Sequence, residues 1–103
     1  MFLVNFNEVR QLDRDQAEAM ALDALVFIIE NIQLRGRFLD LTGLNPDELR
    51  DRIMDPALHV AIIEFLLAHE PSLIEFTAAR NIGPQLPAQA HAALTAHQSR
   101  EWS

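Results

Sequence analysis

The chain has 103 residues, no cysteine and a formal net charge of −7, with fifteen acidic residues against eight arginines and no lysine. The length fits one domain, and half of the residues are hydrophobic, which is enough for a core. The charge disfavours nucleic acid and anionic membranes and favours basic protein partners. The absence of lysine and cysteine excludes Schiff-base and P-loop lysines, thiol nucleophiles and thiolate metal sites.

The composition indicates the fold class. Glycine is scarce, with three residues, tyrosine is absent, and the apolar residues are mainly Leu, Ile and Ala. These residues favour helices over strands. We therefore predict an all-α protein, a compact bundle of about five helices with a weak helix at the C-terminus.

The N-terminal segment, residues 1–12, is apolar and reads "MFLVNFNEVRQL". It lacks the basic region and the small-residue cleavage site of a signal peptide, so we expect a cytoplasmic protein. No apolar run approaches the ~20 residues that cross a bilayer, and we expect no membrane partner. The segment is too apolar for a free tail. Three interpretations remain: packing on the domain's own core, contact with a second copy in a homodimer, or a translation-start artefact.

Helix one is predicted over about residues 14–31. Asp13 and Gln16 have the spacing of a capping box at its start. Apolar residues cover most of its circumference, which implies burial against several helices. The principal apolar stripe consists of Ala17, Met20, Ala21, Ala24, Leu25 and Ile28. Asp23 and Glu30 remain for solvent.

Helix two is predicted over about residues 33–42. It carries Leu34, Phe38 and Leu41 at helical spacing. The helix ends where Gly43 can adopt the left-handed conformation that glycine favours after a helix.

Helix three is predicted in the segment "NPDELRDRIM". Asn45 is the expected N-cap, and Pro46 suits the first helical position. Glu48 completes a second capping box. Leu49 and Ile53 form the inner face of this short helix.

Two further helices follow in the same manner. Asp55 and Pro56 repeat the capping pattern and begin helix four, "PALHVAIIEFLLAHE", whose apolar character makes it the predicted central helix. Pro71 begins helix five, which is predicted to end at Gly83 and Pro84.

The tail, residues 84–103, is rich in Ala and Gln. It predicts one weak helix from Ala88 to about His97 with a frayed end. The expected organisation is therefore an apolar N-terminal segment over 1–12, a helical domain over 13–83 and a C-terminal extension over 84–103.

The two halves of the predicted domain correspond at a shift of 35 residues, which aligns "FLDLT" with "LIEFT". Both halves read as a long apolar helix, a shorter helix and a glycine turn. Two quasi-repeated helical hairpins are one hypothesis. A chance likeness between two amphipathic patterns is the other, and the sequence leaves both open.

The segment "DLTGLNPDELRDRIMDP" has the outline of a helix–turn–helix, whose second helix would enter the major groove of DNA. The charged residues of that helix are Asp47, Glu48, Arg50, Asp51, Arg52 and Asp55. Arg50 can pair with Asp47, and Arg52 can pair with Glu48. Because no uncompensated basic residue is left for phosphate, we expect no DNA binding.

No catalytic, cofactor-binding or metal-binding residues are predicted. The histidines are His59, His69, His91 and His97. None of them lies three or four positions from another, so no helix face presents two imidazoles, and each is expected at the boundary of the core. The acids around "DLTGLNPDE" lack the order of a calcium loop, and no serine or threonine lies in a nucleophile motif.

The order of these segments resembles a family of small bacterial helical proteins, the domain-of-unknown-function family 3572. Its most specific parts are "FLDLTGLNPDELR" and "DPALHVAIIEFLLAHE", and the resemblance covers about residues 13–83. The resemblance implies a compact, all-helical cytosolic domain and no assigned activity.

The leading functional hypothesis is a small acidic interaction domain, an adaptor or inhibitor that binds a basic surface of a protein partner. The candidate interaction residues are Asp23, Glu30, Asp47, Asp51 and Glu64. The alternative is a small-molecule-binding protein or weak enzyme with a pocket between helices one and four, near Phe27, His59 and Ile63. A DNA-binding helix–turn–helix is the least favoured hypothesis.

Overall fold

The computed structural model of the chain describes residues 12–101, and it describes side chains for residues 12–96. Within that range the chain forms six α-helices and no β-strand, which confirms the predicted all-α bundle. The helices are α1 (Arg14–Glu30), α2 (Ile32–Thr42), α3 (Pro46–Asp51), α4 (Pro56–Leu67), α5 (Glu70–Arg80) and α6 (Leu86–Glu101). Residues 1–11 of the N-terminal segment lie outside the described residues, so the three interpretations of that segment stay predictions. Leu12 is described and is buried.

Two helices begin with reciprocal capping boxes. The Asp13 carboxylate accepts the backbone N–H of Gln16 at 2.8 Å, and the Gln16 side chain accepts the backbone N–H of Asp13 at 2.9 Å. Asn45 and Glu48 make the same exchange at 2.8 and 3.1 Å at the start of α3. Each box pairs N–H groups that the helix itself cannot satisfy.

The other residues that begin or end helices in the middle of the chain also act through short-range contacts. The Asp55 carboxylate accepts the backbone N–H of Ala57 at 2.9 Å, and Pro46 and Pro56 are the first residues of their helices. Gly43 ends α2 in the left-handed conformation, with φ of 72°. These short-range features fix where α2, α3 and α4 begin or end.

Helix α5 ends earlier than Gly83, because Asn81 already adopts the left-handed conformation, with φ of 56°. The backbone N–H of Ile82 donates to the Thr77 carbonyl at 2.9 Å, and that of Asn81 donates to the Ala78 carbonyl at 3.2 Å. This pair of bonds is a Schellman motif. Asparagine tolerates positive φ better than other side chains, so it replaces the predicted glycine as the stop signal.

Helix α4 ends at Leu67 rather than at Glu70, and the chain bends by 105° between α4 and α5. His69 has extended backbone angles and precedes α5, in which Pro71 lies in the first turn.

Among the described residues no single helix is long and apolar enough to cross a membrane. Within the same residues, α4 and α5 taken together have the length and composition for it, but they are joined by the 105° bend.

Helix α6 is longer than predicted at both ends and packs against α1 and α4. It begins at Leu86, before Pro87, because proline is tolerated in the first turn of a helix. Leu86, Ala90 and Leu94 recur every four residues and are buried. The Ala-rich tail therefore contributes one layer of the core.

The core is shared by α1, α4 and α6, while α2 packs on α1 and α5 packs on α4. The predicted stripe of α1 is buried throughout, and α4 contributes the fully buried Ile62, Ile63 and Leu66. This arrangement confirms α4 as a central helix. It also brings α2 beside α4 over the part of the surface described below.

The 35-residue correspondence holds for local features and fails for packing. Thr42 and Thr77 each donate a hydroxyl hydrogen bond to the carbonyl four residues earlier, at 2.9 and 3.0 Å. Leu41, however, is exposed, whereas its counterpart Phe76 is fully buried. The second helix of each half therefore turns a different side toward the rest of the molecule.

Candidate functional site

An apolar groove lies between α2 and α4 and is open to solvent. Its cavity has a volume of about 260 Å³. Its lining residues are Phe38, Leu41, Thr42, Ala61, Glu64, Phe65 and Ala68. The rings of Phe38 and Phe65 pack edge to face, with centroids 5.3 Å apart, and both side chains are buried. The floor of the groove is therefore a well-packed aromatic pair.

Leu41 forms an apolar rim on the α2 side of the groove, and 72% of the residue is exposed. It lies three residues after Phe38, so the helix places it next to the aromatic floor. A single exposed leucine on a protein surface is ordinary. An exposed leucine beside an open apolar groove is a feature of binding surfaces.

Glu64 is the only ionisable residue among those that line the groove. One of its carboxylate oxygens, Oε2, lies 2.9 Å from Nε2 of His91 on α6. Because an ionised carboxylate only accepts hydrogen bonds, Nε2 is the donor. The two side chains are 59% and 31% exposed, respectively. Glu64 is thus tied to α6 through one oxygen and still reaches solvent.

A second, more polar cleft lies between α2 and the start of α5, with a cavity volume of about 150 Å³. Its lining residues are Asn31, Gln33, Leu34, Arg37, His69, Pro71, Ser72 and Glu75. Nδ1 of His69 lies 2.7 Å from Oγ of Ser72, which is buried. The Asn31 side chain accepts two backbone N–H groups of α2. Local hydrogen bonds therefore use several of the polar groups in this cleft.

The five candidate interaction acids are spread over three helices. Asp23 and Glu30 lie on α1, Asp47 and Asp51 on α3, and Glu64 on α4. Of these, Glu64 lines the groove, and none lines the polar cleft. The predicted acidic surface is therefore distributed, and one of its members coincides with an apolar site.

Asp23 differs from the other candidates because it makes a tertiary ion pair. Both of its carboxylate oxygens lie 3.0 Å from Nε of Arg80, and 41% of its side chain is exposed. The Arg80 guanidinium also lies 5.9 Å from the ring centroid of Phe27 and 5.6 Å from that of Phe76. Asp23 is therefore not left for solvent, as the sequence suggested, but joins α1 to α5.

The residues of the predicted pocket between helices one and four belong to the core. Ile63 and His59 are fully buried, and Phe27 packs edge to face on Phe76 with centroids 5.5 Å apart. Nε2 of His59 donates to the Ile53 carbonyl at 2.7 Å, which satisfies a buried polar group. The expectation that His59 lies at the boundary is wrong. None of the three residues lines the groove or the cleft.

The α2–α3 segment has the outline of a helix–turn–helix, and its charged side chains are only partly paired. Arg50 lies 3.5 Å from Asp47, with both side chains largely exposed. The Glu48 carboxylate accepts the backbone N–H of Asn45, and the predicted pair with Arg52 is wrong. Among the described residues Arg52 makes no ion pair, so the expectation that both arginines are compensated holds for Arg50 alone. Among the side chains described for residues 12–96, no three His, Asp or Glu residues form a group that could hold a metal ion.

The chain matches the family model described as "Protein of unknown function (DUF3572)". The match covers residues 14–97, which is most of the chain. It extends beyond the expected end near Gly83 and includes most of α6. No curated protein and no solved structure matches the chain.

Proposed function

We infer that the chain, which belongs to the DUF3572 family of proteins of unknown function, is a protein-interaction domain that binds its partner through the α2–α4 groove. In the form we propose, it is a bacterial, cytoplasmic adaptor or inhibitor. The observation that carries the proposal is the exposed Leu41 beside an apolar groove with an aromatic floor. An apolar centre with a polar edge is the usual anatomy of an interface.

The size of the groove favours a side chain of a protein over a drug-sized ligand. Pockets for drug-sized ligands typically measure about 300–1,000 Å³, and the groove measures about 260 Å³. Fully burying one Leu, Ile or Phe side chain contributes about 1.5–3 kcal/mol. One or two such anchors from a partner, together with Leu41, supply a small interface centre.

The charge of the chain favours a basic partner surface. The formal net charge is −7, and the groove itself contains the carboxylate of Glu64. Charge complementarity raises association rates and disfavours acidic competitors. Asp23 contributes less, because Arg80 neutralises it.

The first experiment compares two equally exposed apolar residues of α2. Leu41 lines the groove, whereas Ile32, which is 75% exposed, does not. Tagged native protein, Leu41→Asp and Ile32→Asp are used to capture proteins from native cell lysate, with quantitative mass spectrometry. We expect the native protein and Ile32→Asp to capture the same partner proteins, and we expect Leu41→Asp to lose them. An identical set of proteins with all three chains would contradict the proposed binding site.

A second experiment separates the groove carboxylate from the remaining acidic surface. Glu64→Lys should lose the captured partner, because it reverses the charge in the groove. Reversal of Glu30, Asp47 and Asp51 together should slow association but leave the complex detectable. Asp23 is left unchanged, since Arg80 would lose its partner. If only the triple variant loses the captured partner, the interface lies outside the groove.

The polar cleft between α2 and α5 supports a second candidate function, binding of a small polar metabolite. The supporting observation is that Arg37 and Glu75, of opposite charge, line the cleft beside the His69–Ser72 hydrogen bond. A thermal-shift screen of metabolites tests it. A ligand at about one hundred times its dissociation constant should add about 2.7 kcal/mol of stability, and Arg37→Ala should abolish the shift. No shift with any compound would remove this candidate.

A further inference from the structure

We propose that the partner element seated in the α2–α4 groove is an amphipathic helix that carries an arginine or lysine beside its apolar stripe, and that this basic residue replaces His91 as the partner of Glu64. This inference rests on the proposed function, because it specifies the ligand of the same groove. It also assigns a role to the His91–Glu64 hydrogen bond.

The shape of the groove selects a helix. On the α4 side its lining includes Ala61, Phe65 and Ala68, which recur with helical spacing over seven residues. At 1.5 Å per residue this spacing corresponds to about 10 Å, or two turns. The small side chains of the two alanines leave room above the aromatic floor. A helix places residues i, i+3 or i+4, and i+7 along the same length, which is the usual mode of groove binding.

The single carboxylate of the groove selects a basic residue. Glu64 uses Oε2 for His91, and among the described residues its Oε1 has no hydrogen-bond partner. An imidazole donates one N–H to the carboxylate, whereas a guanidinium donates two parallel N–H groups to both oxygens. An incoming arginine therefore makes a better partner for Glu64 than His91 does. The net charge of −7 favours the approach of such a helix.

The exchange is possible because the bond that breaks is partly exposed. His91 is 31% exposed, so water can solvate its ring once Glu64 has a new partner. Partly exposed polar side-chain pairs contribute little, and losing this hydrogen bond should weaken binding only about two- to fivefold. His91→Ala should therefore tighten binding of a basic helix about two- to fivefold. The same variant should not change the affinity of a matched helix whose basic residue is replaced by methionine.

The experiment uses a displayed library of amphipathic helical peptides. Leucines are fixed on one stripe, the flanking positions are randomised, and the immobilised full chain is the target. We expect Arg or Lys to be enriched at a flanking position in peptides that the native chain binds and Leu41→Asp does not. With the isosteric Glu64→Gln, we expect peptides still to bind but without enrichment of basic residues.

The outcomes separate the inference from the proposed function. The selected peptides can require Leu41 and yet carry the same enriched flanking residues with the native chain and with Glu64→Gln. That result would overturn the role of Glu64 and leave groove binding intact. No Leu41-dependent peptide would contradict the proposed function itself. A synthetic peptide of residues 1–11 that displaces the selected helices would assign the groove to this chain's own segment and overturn the inference. We expect no such displacement.

Discussion

At the scale of single residues, Asn45 isolates the contribution of one helix cap. Asn45→Ala removes the acceptor for the Glu48 N–H and should lower the free energy of unfolding by about 1 kcal/mol. Urea unfolding measures this change. Asn45→Asp retains an acceptor and should stay within a few tenths of a kcal/mol. Because Asn45 does not line the groove, neither substitution should change partner binding. A loss of binding would show that the turn contacts the partner.

The Asp23–Arg80 pair tests a tertiary contact. Arg80→Lys keeps the charge but loses the planar guanidinium that meets the carboxylate and the rings of Phe27 and Phe76. We expect it to destabilise the protein nearly as much as Arg80→Ala. A double-mutant cycle with Asp23→Ala should give a coupling of about 1 kcal/mol, the upper end for partly exposed pairs. Zero coupling would mean that the pair does not join α1 to α5 in solution.

These two sites differ in how far the sequence predicts them. The box of Asn45 and Glu48 is visible from spacing alone, because both partners lie within one helical turn. Asp23 and Arg80 are 57 residues apart, and their meeting depends on how α1 and α5 pack. From the sequence alone, Asp23, which lies between apolar positions on α1, is therefore predicted to be solvent-exposed. Local hydrogen bonds are predictable from one sequence, and tertiary ion pairs are not.

At the scale of elements, the glycine inside α2 and the glycine directly after it should respond oppositely to substitution by alanine. Gly36 lies inside the helix, and a Cβ there meets nothing within 4 Å. Gly36→Ala should therefore stabilise the protein by about 0.5–1 kcal/mol. Gly43 has φ of 72°, so Gly43→Ala should cost roughly 1–2 kcal/mol. Unfolding in urea measures both, and changes of the same sign would contradict the left-handed end of α2.

Helix α6 provides a second prediction at this scale. Leu86 is buried at its start, so Leu86→Ala should cost about 2–5 kcal/mol, as in other cores. Ala92 is exposed on the same helix, and Ala92→Ser should change stability by less than about 0.5 kcal/mol. Equal, small effects would indicate the weak and frayed helix that the sequence suggested.

The difference between α6 as predicted and as observed has a physical origin. The segment contains few large apolar residues, and periodicity alone gives a weak signal. Its buried face uses Ala90 between Leu86 and Leu94, so close packing against α1 and α4 replaces side-chain bulk. Leu41 shows the opposite case, since its helical spacing indicated an inner position although it is exposed. Periodicity identifies a helix but does not identify which face a neighbour will cover.

At the scale of the whole molecule, composition and caps were enough to predict an all-α protein, but not the groove. The groove requires α2 to lie beside α4, and its floor joins Phe38 to Phe65, which lie on these two different helices. No local sequence pattern predicts the contact between Phe38 and Phe65. The sequence did single out Glu64 as an interaction residue, but on grounds of charge alone. Its position beside an apolar surface is what connects charge to a specific kind of partner.

Self-association at this scale depends on two opposing contributions. The first eleven residues include the apolar Phe2, Leu3, Val4, Phe6 and Val9. These side chains favour contact between copies, whereas a net charge of −7 on each copy opposes it. We expect deletion of residues 1–11 to lower the mass that light scattering measures for the full chain. The deletion retains Leu12, which is buried.

Salt distinguishes these contributions. The Debye length falls from about 10 Å at 0.1 M ionic strength to about 3 Å at 1 M, so repulsion between acidic copies weakens while apolar contact does not. The mass of the full chain should therefore rise with salt, and that of the deletion variant should stay constant. Ile32→Asp and Leu41→Asp, each made in the full chain, control for the exposed apolar residues of α2. If deletion leaves the mass unchanged at both salt concentrations, the N-terminal segment does not mediate assembly. If only Leu41→Asp lowers the mass, a second copy occupies the groove in the absence of a partner.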